Sequence, residues 1–206
     1  MKIAVVGAAG MTGSRVVTEA ISRGHHVTAV FRRTPPDSRH PDVEIVRGDI
    51  TDVGRMSEVF GGVDAVVGAT RPAPGAEDTV AATAKALLDA AAGTRVLVVG
   101  GAGPLRSPSG GLVIDDPVFV PLSWRTIASA STTQLQVCEA HDGDWVYLSP
   151  PAMLEPGIRT GTYRRGTTTI LTAEDGSSRI SAEDLAVAIV DELENPGGDR
   201  HFTVGY

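Results

Sequence analysis

Three glycines near the start of the chain have the spacing of an anion-binding turn. Gly7, Gly10 and Gly13 form a Gly-x-x-Gly-x-x-Gly pattern. Glycine allows a tight turn and a close approach of ligand to backbone, and a helix that follows presents free N–H groups and the positive end of its dipole. We predict that Gly7, Gly10, Met11, Thr12 and Gly13 bind the phosphates of a nucleotide. Glycine turns also serve plain chain reversal, so the prediction depends on the flanking elements.

The flanking residues have the patterns of the strand and the helix that such a turn requires. Residues 3–6 are a continuous apolar run, typical of a strand buried on both faces of a parallel sheet. Residues 12–23 carry apolar side chains at helical spacing, and Gly24 stands where a helix C-cap glycine belongs. The order strand, glycine turn, helix is that of a dinucleotide-binding unit.

Two arginines follow the second predicted strand, residues 27–31. An enzyme that uses NAD usually has a carboxylate about 20 residues beyond the glycine turn, where it accepts a hydrogen bond from the ribose 2′-hydroxyl. Arg32 and Arg33 occupy that place, and a guanidinium there would pair with a 2′-phosphate. NADP(H) is therefore favoured over NAD(H). The alternative is that the two arginines form a solvated turn; Asp37 lies too far into the following loop to be a confident ribose ligand.

The rest of the chain alternates strands and helices. Further strands are predicted at residues 43–46, 65–67, 96–99, 145–148 and 200–204, and further helices at residues 53–60, 79–92, 127–140 and 181–194. This order predicts an α/β fold of Rossmann type, a doubly wound and mostly parallel sheet with helices on both faces, in a single domain over residues 1–206. Residues 101–126 and 150–168 are rich in glycine and proline and are predicted to be loops that build the ligand crevice. Ser181 and Asp184 have the spacing of a capping box at the start of the last helix.

Composition excludes several classes of function. The 206 residues are 42% hydrophobic and 21% charged, as in an ordinary folded protein, and the net charge of −7 disfavours nucleic acid and anionic membranes as partners. Cys138 is the only cysteine, which excludes an internal disulfide and fits a cytoplasmic location. The first apolar run is too short for a signal peptide or a membrane span. The five histidines lack metal-ligand spacing, so we expect no metal, and we expect a monomer or a homodimer.

These motifs together resemble the atypical short-chain dehydrogenase/reductase superfamily, in particular its small NAD(P)H-binding, NmrA-like members, which include proteins named as NADH-flavin reductases. The resemblance covers nearly the whole chain and is carried by residues 7–13, 32–33, 48–52, 98–103, 148–151, 179–184 and 202–206. The residues that it places around the cofactor are Asp49 and Ile50 at the adenine, Ala69, Thr70 and Arg71 after the fourth strand, and Pro150 and Pro151 at the nicotinamide. The simpler alternatives are that Asp49 caps a turn and that the two prolines end a strand.

One departure from that superfamily bears on the chemistry. Most of its members move a proton to or from the substrate with a tyrosine followed four positions later by a lysine. The only tyrosines are Tyr147, Tyr163 and Tyr206, and neither Lys2 nor Lys85 follows one of them by four positions. The usual acid/base pair is therefore absent from the sequence.

Hydride transfer to a flavin or a quinone-like acceptor does not need that pair, because solvent can supply the proton. We therefore expect an NADPH-dependent oxidoreductase that acts on a small planar substrate, and we name no catalytic residue. The weaker candidates in the crevice loops are Ser123, Thr126, Ser129 and Ser149 as proton donors and Trp124 as a stacking platform. Two alternatives remain: an NmrA-like regulatory protein that senses NADP(H) without turnover, and a nucleotide-sugar epimerase or dehydratase, which would usually need a larger C-terminal substrate domain.

Overall fold

The computed structural model describes residues 1–33 and 40–206 of the chain. The strands of that part are β1 (Lys2–Val6), β2 (His26–Phe31), β3 (Val43–Arg47), β4 (Ala65–Gly68), β5 (Arg95–Val99), β6 (Trp145–Ser149), β7 (Met153–Glu155), β8 (Arg164–Gly166), β9 (Arg179–Ser181) and β10 (His201–Gly205). The α-helices are α1 (Met11–Ser22), α2 (Val53–Phe60), α3 (Val80–Ala90), α4 (Arg125–Glu139) and α5 (Ala182–Glu194). None of the helices so described is long and apolar enough to cross a membrane.

The strands form one large sheet in the order β3-β2-β1-β4-β5-β6-β10-β8. All neighbouring pairs are parallel except β8, which runs antiparallel to β10 at the edge. The first six strands have the Rossmann order 3-2-1-4-5-6, in which the direction of winding reverses between β1 and β4. The predicted single-domain, doubly wound α/β fold is confirmed.

Two apolar layers, one on each face of the sheet, explain why the strands are continuous hydrophobic runs. Val5 of β1 belongs to the layer formed with α1 and α5, where Val16 and Leu185 are completely buried. Its neighbour Ala4 faces the opposite layer, which is formed with α2, α3 and α4 and contains Met56 and Leu87. A parallel sheet covered in this way excludes water from both sides of its strands.

Three short strands were not predicted from the sequence. β7 pairs with β9 in a separate two-stranded parallel sheet, and β8 ends the large sheet. Each has only three residues, and the side chains of β7 and β8 are exposed or half-buried, so they show no apolar periodicity. The second predicted crevice loop, residues 150–168, therefore contains regular structure.

The predicted capping box at the start of α5 has one of its two expected hydrogen bonds. The Ser181 hydroxyl accepts from the Asp184 amide at 2.9 Å, as predicted. The Asp184 carboxylate does not reach back to the Ser181 amide, which donates instead to the hydroxyl of Tyr206. Asp184 accepts from the amides of Thr160 and Gly161 and from the hydroxyl of Tyr206. These donors, which are distant in sequence, replace the Ser181 amide because Asp184 is buried against the loop that contains Thr160 and against the C-terminal Tyr206.

Candidate functional site

The glycine loop is closed so tightly that two of its positions have no room for a side chain. Gly7 has φ +86°, and a Cβ atom there would lie 2.4 Å from the carbonyl oxygen of Ala69. A Cβ atom on Gly13 would lie 2.2 Å from the carbonyl oxygen of Gly7. The Gly10 amide donates to the same Gly7 oxygen at 2.8 Å. The loop therefore brings the start of α1 directly onto the end of β1.

Among residues 1–33 and 40–206, no side chain caps the first turn of α1. Gly10 is the N-cap residue and supplies no side-chain hydrogen bond, and no acidic side chain stands in the first turn. Met11 is exposed and Thr12 is half-buried at this end of the helix. Unpaired N–H groups and the positive end of the helix dipole together favour an anion. The arrangement fits the pyrophosphate of a dinucleotide, which is the group that the glycine spacing predicts.

Arg32 and Arg33 lie where β2 ends, next to β1 in the sheet, and both are exposed. Within residues 1–33 and 40–206, neither guanidinium forms a salt bridge. Asp37, which the sequence analysis places too far into the loop to bind the ribose, lies outside the described residues. Two charged side chains at this edge would carry a local positive potential in a protein whose net charge is negative.

Asp49 follows β3 and has the turn-capping contacts of the simpler alternative. Its Oδ1 atom accepts from the amide of Thr51 at 3.0 Å and from the Thr51 hydroxyl at 2.8 Å. These two hydrogen bonds, with a smaller contribution from the charge of Arg32, hold the pKa of the Asp49 carboxyl below its ordinary value. Asp49 remains exposed, so the turn does not remove it from solvent, whereas Ile50 is buried.

The residues after β4 lie at the point where the winding of the sheet reverses. The Ala69 amide donates to the Val6 carbonyl at 2.9 Å, which places Ala69 beside the glycine loop. Thr70 is half-buried and Arg71 is exposed. Ligands of open α/β sheets bind in the crevice outside the carboxyl ends of the strands at such a switch point.

Pro150 and Pro151 end β6 at the same edge of the sheet, beyond β4 and β5, and both are buried. The predicted cofactor residues thus all follow carboxyl ends of parallel strands, in a row from β3 to β6. Direct contact is seen between the glycine loop and Ala69, whereas the two prolines lie further along the edge. A dinucleotide lying along this row would pass the reversal point near its pyrophosphate.

The candidate proton donors are in different positions. Ser149 is completely buried, and its Oγ atom is hydrogen-bonded to Nε2 of His201 at 2.9 Å. Burial lowers the pKa of His201. Ser123 lies in the short 3₁₀ turn Leu122–Trp124, and Thr126 and Ser129 lie on α4; these three are exposed. Of the four candidates, Ser149 is the one at the end of β6 beside the predicted cofactor residues, but its hydroxyl is buried.

Every tyrosine hydroxyl is already engaged within the protein. Tyr147 is buried and donates to a main-chain carbonyl of α4 at 2.8 Å, and its burial raises the pKa of the phenol. Tyr163 donates to Asp191 at 2.6 Å, and burial together with this carboxylate raises its pKa. Tyr206 donates to Asp184 at 2.6 Å. These side chains hold the fold together and offer no free acid to a substrate.

A groove beside the cofactor edge is lined by residues of both predicted crevice loops, 101–126 and 150–168, and by residues 176–178, which sequence reasoning missed. It has a volume of about 240 Å³ and is lined by Val118, Phe119, Pro121, Trp124, Ala152, Met153, Gly176, Ser177 and Ser178. Its walls come from three separate chain segments with no common motif. Trp124, which the sequence offers as a stacking platform, is 58% exposed.

Comparison with known proteins agrees with this geometry. A family model described as NAD(P)H-binding matches residues 7–196. The uncharacterized protein YwnB of Bacillus subtilis (strain 168) is 37% identical over 212 residues, which cover 99% of this chain and 98% of that protein. A solved structure of a protein from Bacteroides thetaiotaomicron, described as a "putative epimerase", has a TM-score of 0.91 and 35% identity, covering 100% of this chain and 96% of the other. A Streptococcus pneumoniae TIGR4 structure, described as a "putative NADH-flavin reductase", has a TM-score of 0.89 and 30% identity, covering 100% and 99%.

Proposed function

Because the chain belongs to the NAD(P)H-binding family, we propose that it is an NADPH-dependent oxidoreductase that reduces a small planar acceptor, flavin-like or quinone-like, by hydride transfer. The observation that carries the proposal is the closed glycine loop, which sets the uncapped start of α1 against the switch point of the sheet. The Streptococcus protein described as a "putative NADH-flavin reductase" supports the same class of reaction.

In this proposal the phosphates bind at the glycine loop. The residues assigned to them are Gly7, Gly10, Met11, Thr12 and Gly13. The free amides of α1 bind the pyrophosphate by hydrogen bonds, and the two glycines without side-chain room allow the close approach. Ala69, Thr70 and Arg71 border the cofactor at the neighbouring strand end.

The preference for NADPH comes from the exposed cations after β2. Arg32 and Arg33 bind the 2′-phosphate, since a charged hydrogen bond to phosphate is about twice as strong as a neutral one. Asp49 and Ile50 border the adenine, with Asp49 held in place by its own turn. Pro150 and Pro151 bound the nicotinamide pocket and exclude water from that side, because both are buried.

When bound, NADPH would supply a hydride to the acceptor and become NADP⁺, and one proton from solvent would complete the two-electron reduction. The chain's own part is to bind and orient the two flat rings. Such a reaction does not require the tyrosine and lysine that most of the superfamily uses, and the tyrosines of this chain serve the fold instead.

Purified protein mixed with NADPH and then with menadione, lumiflavin or FMN tests the proposal, with loss of absorbance at the reduced nicotinamide band as the readout. We expect oxidation of NADPH that depends on both protein and acceptor and that is slower with NADH at equal concentration. Tight NADPH binding without oxidation by any of the three acceptors would contradict the reductase.

A second candidate is an NmrA-like protein that binds NADP(H) and regulates a partner without turnover. The observation in its favour is that each tyrosine hydroxyl is hydrogen-bonded within the protein and that no lysine is placed to activate one. A co-purifying protein whose affinity changes between NADPH and NADP⁺ would support this candidate over the reductase.

The remaining assignments are a cytoplasmic location and a monomeric or homodimeric state. Cys138, the only cysteine, is buried, and its pKa is raised to about 12 chiefly by burial, so it is an inert thiol suited to a reducing compartment. Size-exclusion chromatography with light scattering measures the oligomeric state.

A further inference from the structure

The groove lined in part by Trp124 and Met153 differs chemically from the phosphate-binding end of the site. Its nine lining residues are apolar except for two serines, and none carries an ionisable side chain. Trp124 is 58% exposed and Met153 is 50% exposed, although both are large and hydrophobic. Exposed large apolar side chains that line one concave surface indicate a binding site rather than a random surface.

The groove lies next to the proposed nicotinamide pocket. Ala152 and Met153 directly follow Pro150 and Pro151 at the end of β6. The wall is fixed there, because the Met153 amide donates to the Ser178 carbonyl at 2.9 Å. Phe119 of the other wall and Ala152 pack against the same small apolar cluster that Ala102, just after β5, also contacts. The groove is therefore formed by chain segments that follow the carboxyl ends of β5 and β6.

The charges beside the groove are mainly negative. The Asp116 carboxylate accepts from the Val118 amide at 3.0 Å, and the Asp175 carboxylate accepts from the Ser177 amide at 2.9 Å. Arg125, the cation that follows Trp124, is paired with Asp115 at 2.6 Å. The opposing cation is Arg179, which follows the lining residue Ser178, is exposed and acts on Asp175 through its charge. An acceptor with a phosphate group would therefore come near two carboxylates and one arginine.

We infer that this groove binds the acceptor and selects an uncharged planar ring, which stacks on Trp124, over an acceptor that carries a phosphate. The inference rests on the proposed reductase function and narrows its substrate class to neutral quinones and flavins without a phosphate. A volume of about 240 Å³ is below the range of about 300–1,000 Å³ usual for drug-sized ligands, so it suits one ring system and leaves little room for a ribityl phosphate tail. Tryptophan presents the large flat apolar face that such a ring requires.

The test compares steady-state NADPH oxidation with menadione, lumiflavin and FMN, where lumiflavin and FMN share one ring system and differ in the phosphate tail. We expect the KM for FMN to exceed that for lumiflavin by about tenfold or more, as one unfavourable charge contact of about 1.4 kcal/mol would give. Trp124→Ala should raise the KM for menadione and lumiflavin about five- to twentyfold, with the KM for NADPH unchanged.

Two further variants make the test specific. Leu122→Ala is the matched control, because Leu122 is 83% exposed in the same turn as Trp124 and does not line the groove; it should leave every KM unchanged. Met153→Arg places a cation at an exposed position on the rim and should lower the KM for FMN about tenfold without improving that for menadione.

Calorimetric titration of NADP⁺-loaded protein with menadione separates this inference from the reductase proposal. One outcome is saturable menadione binding that Trp124→Ala weakens, together with failure of the protein to oxidise NADPH with any of the three acceptors. This outcome would support the groove and contradict the reductase. Turnover with equal KM for FMN and lumiflavin, or with a KM that Trp124→Ala leaves unchanged, would overturn the groove assignment and leave the reductase standing. Absence of saturable menadione binding would also overturn the groove assignment.

Discussion

At the scale of single residues, the glycine loop shows that one pattern in the sequence can have two separate causes. Gly7 needs a positive φ and has the Ala69 carbonyl where a side chain would be. Gly13 has ordinary helical backbone, and its restriction comes only from the Gly7 carbonyl, 2.2 Å from an added Cβ atom. A single methyl group at Gly13 would therefore separate α1 from β1 even though the backbone tolerates alanine.

We predict that Gly13→Ala lowers the free energy of unfolding by about 1–3 kcal/mol, the usual cost of overpacking, and abolishes measurable NADPH binding. Urea unfolding followed by circular dichroism measures the first effect and fluorescence titration the second. Gly54→Ala is the matched control, because Gly54 lies in α2 with open space around it and should gain about 0.5–1 kcal/mol from the helix preference of alanine. Equal effects of the two substitutions would contradict the packing argument.

At the scale of elements, a loop after β7 is attached to α1 and α5 by carboxylates. Arg159 is paired with the buried Glu19 of α1 at 2.7 Å. Asp184 of α5 accepts from the Thr160 amide at 2.9 Å and from the Gly161 amide at 2.8 Å. Against the opposing effect of burial, the hydrogen bonds from Thr160, Tyr206 and Gly161 lower the pKa of the Asp184 carboxyl.

We predict that Asp184→Asn lowers the free energy of unfolding by about 1–3 kcal/mol at pH 7, since charged hydrogen bonds to buried donors are lost. The folded pKa lies below the unfolded value of about 3.9, so the stabilisation is present above about pH 4 and is lost as pH falls through the folded pKa. Urea unfolding between pH 7 and pH 3 should show the difference from the natural protein shrinking on the acid side. Asp142→Asn, at an exposed position, is the control; a pH-independent difference would refute the assignment.

The elements that the sequence predicts correctly are those that bury an apolar face. β1 was predictable because both of its faces are buried, which gives a continuous apolar run, and α1 was predictable because one buried face gives a helical period. The three-residue strands β7, β8 and β9 were not, because segments of three residues are too short to show a periodic pattern of apolar side chains. The second role of Asp184 was hidden for a related reason: its partners are more than 20 residues away in the chain.

The same contrast holds for the candidate site. The glycine loop and the arginines after β2 were predictable, because each lies at a fixed offset from a recognisable strand. The two loops that supply residues 118–124 and 152–153 to the groove beside Trp124 were predicted to build a crevice. The third wall, residues 176–178, was not, since the three segments come together only in the folded chain. Hydrogen-bond partners of buried polar groups, such as His201 for Ser149, equally depend on strand register.

At the scale of the whole molecule, a cofactor that binds only the folded chain must stabilise it by mass action. At 100 times its Kd, NADPH should add about 2.7 kcal/mol to the free energy of unfolding. For a chain of this length that corresponds to a rise in Tm of about 5–10 °C. Differential scanning fluorimetry measures the shift, and NADH at the same concentration should give a smaller one. A Tm that is independent of NADPH concentration would contradict binding to the folded protein.

The central claim is that NADP(H) binds along the carboxyl edge with its 2′-phosphate at Arg32 and Arg33. The most direct test is the Kd of NADPH and of NADH for the natural protein, for Arg32→Ala and Arg33→Ala, and for Arg200→Ala. Arg200 is an exposed arginine just before β10, at the amino ends of the parallel strands and so at the opposite edge of the sheet. We predict that at least one of the first two variants weakens NADPH about 10- to 100-fold, as loss of a charged hydrogen bond implies, and leaves NADH and the control unchanged. Equal affinity of the natural protein for both cofactors, or equal loss of both in the variants, would contradict the account.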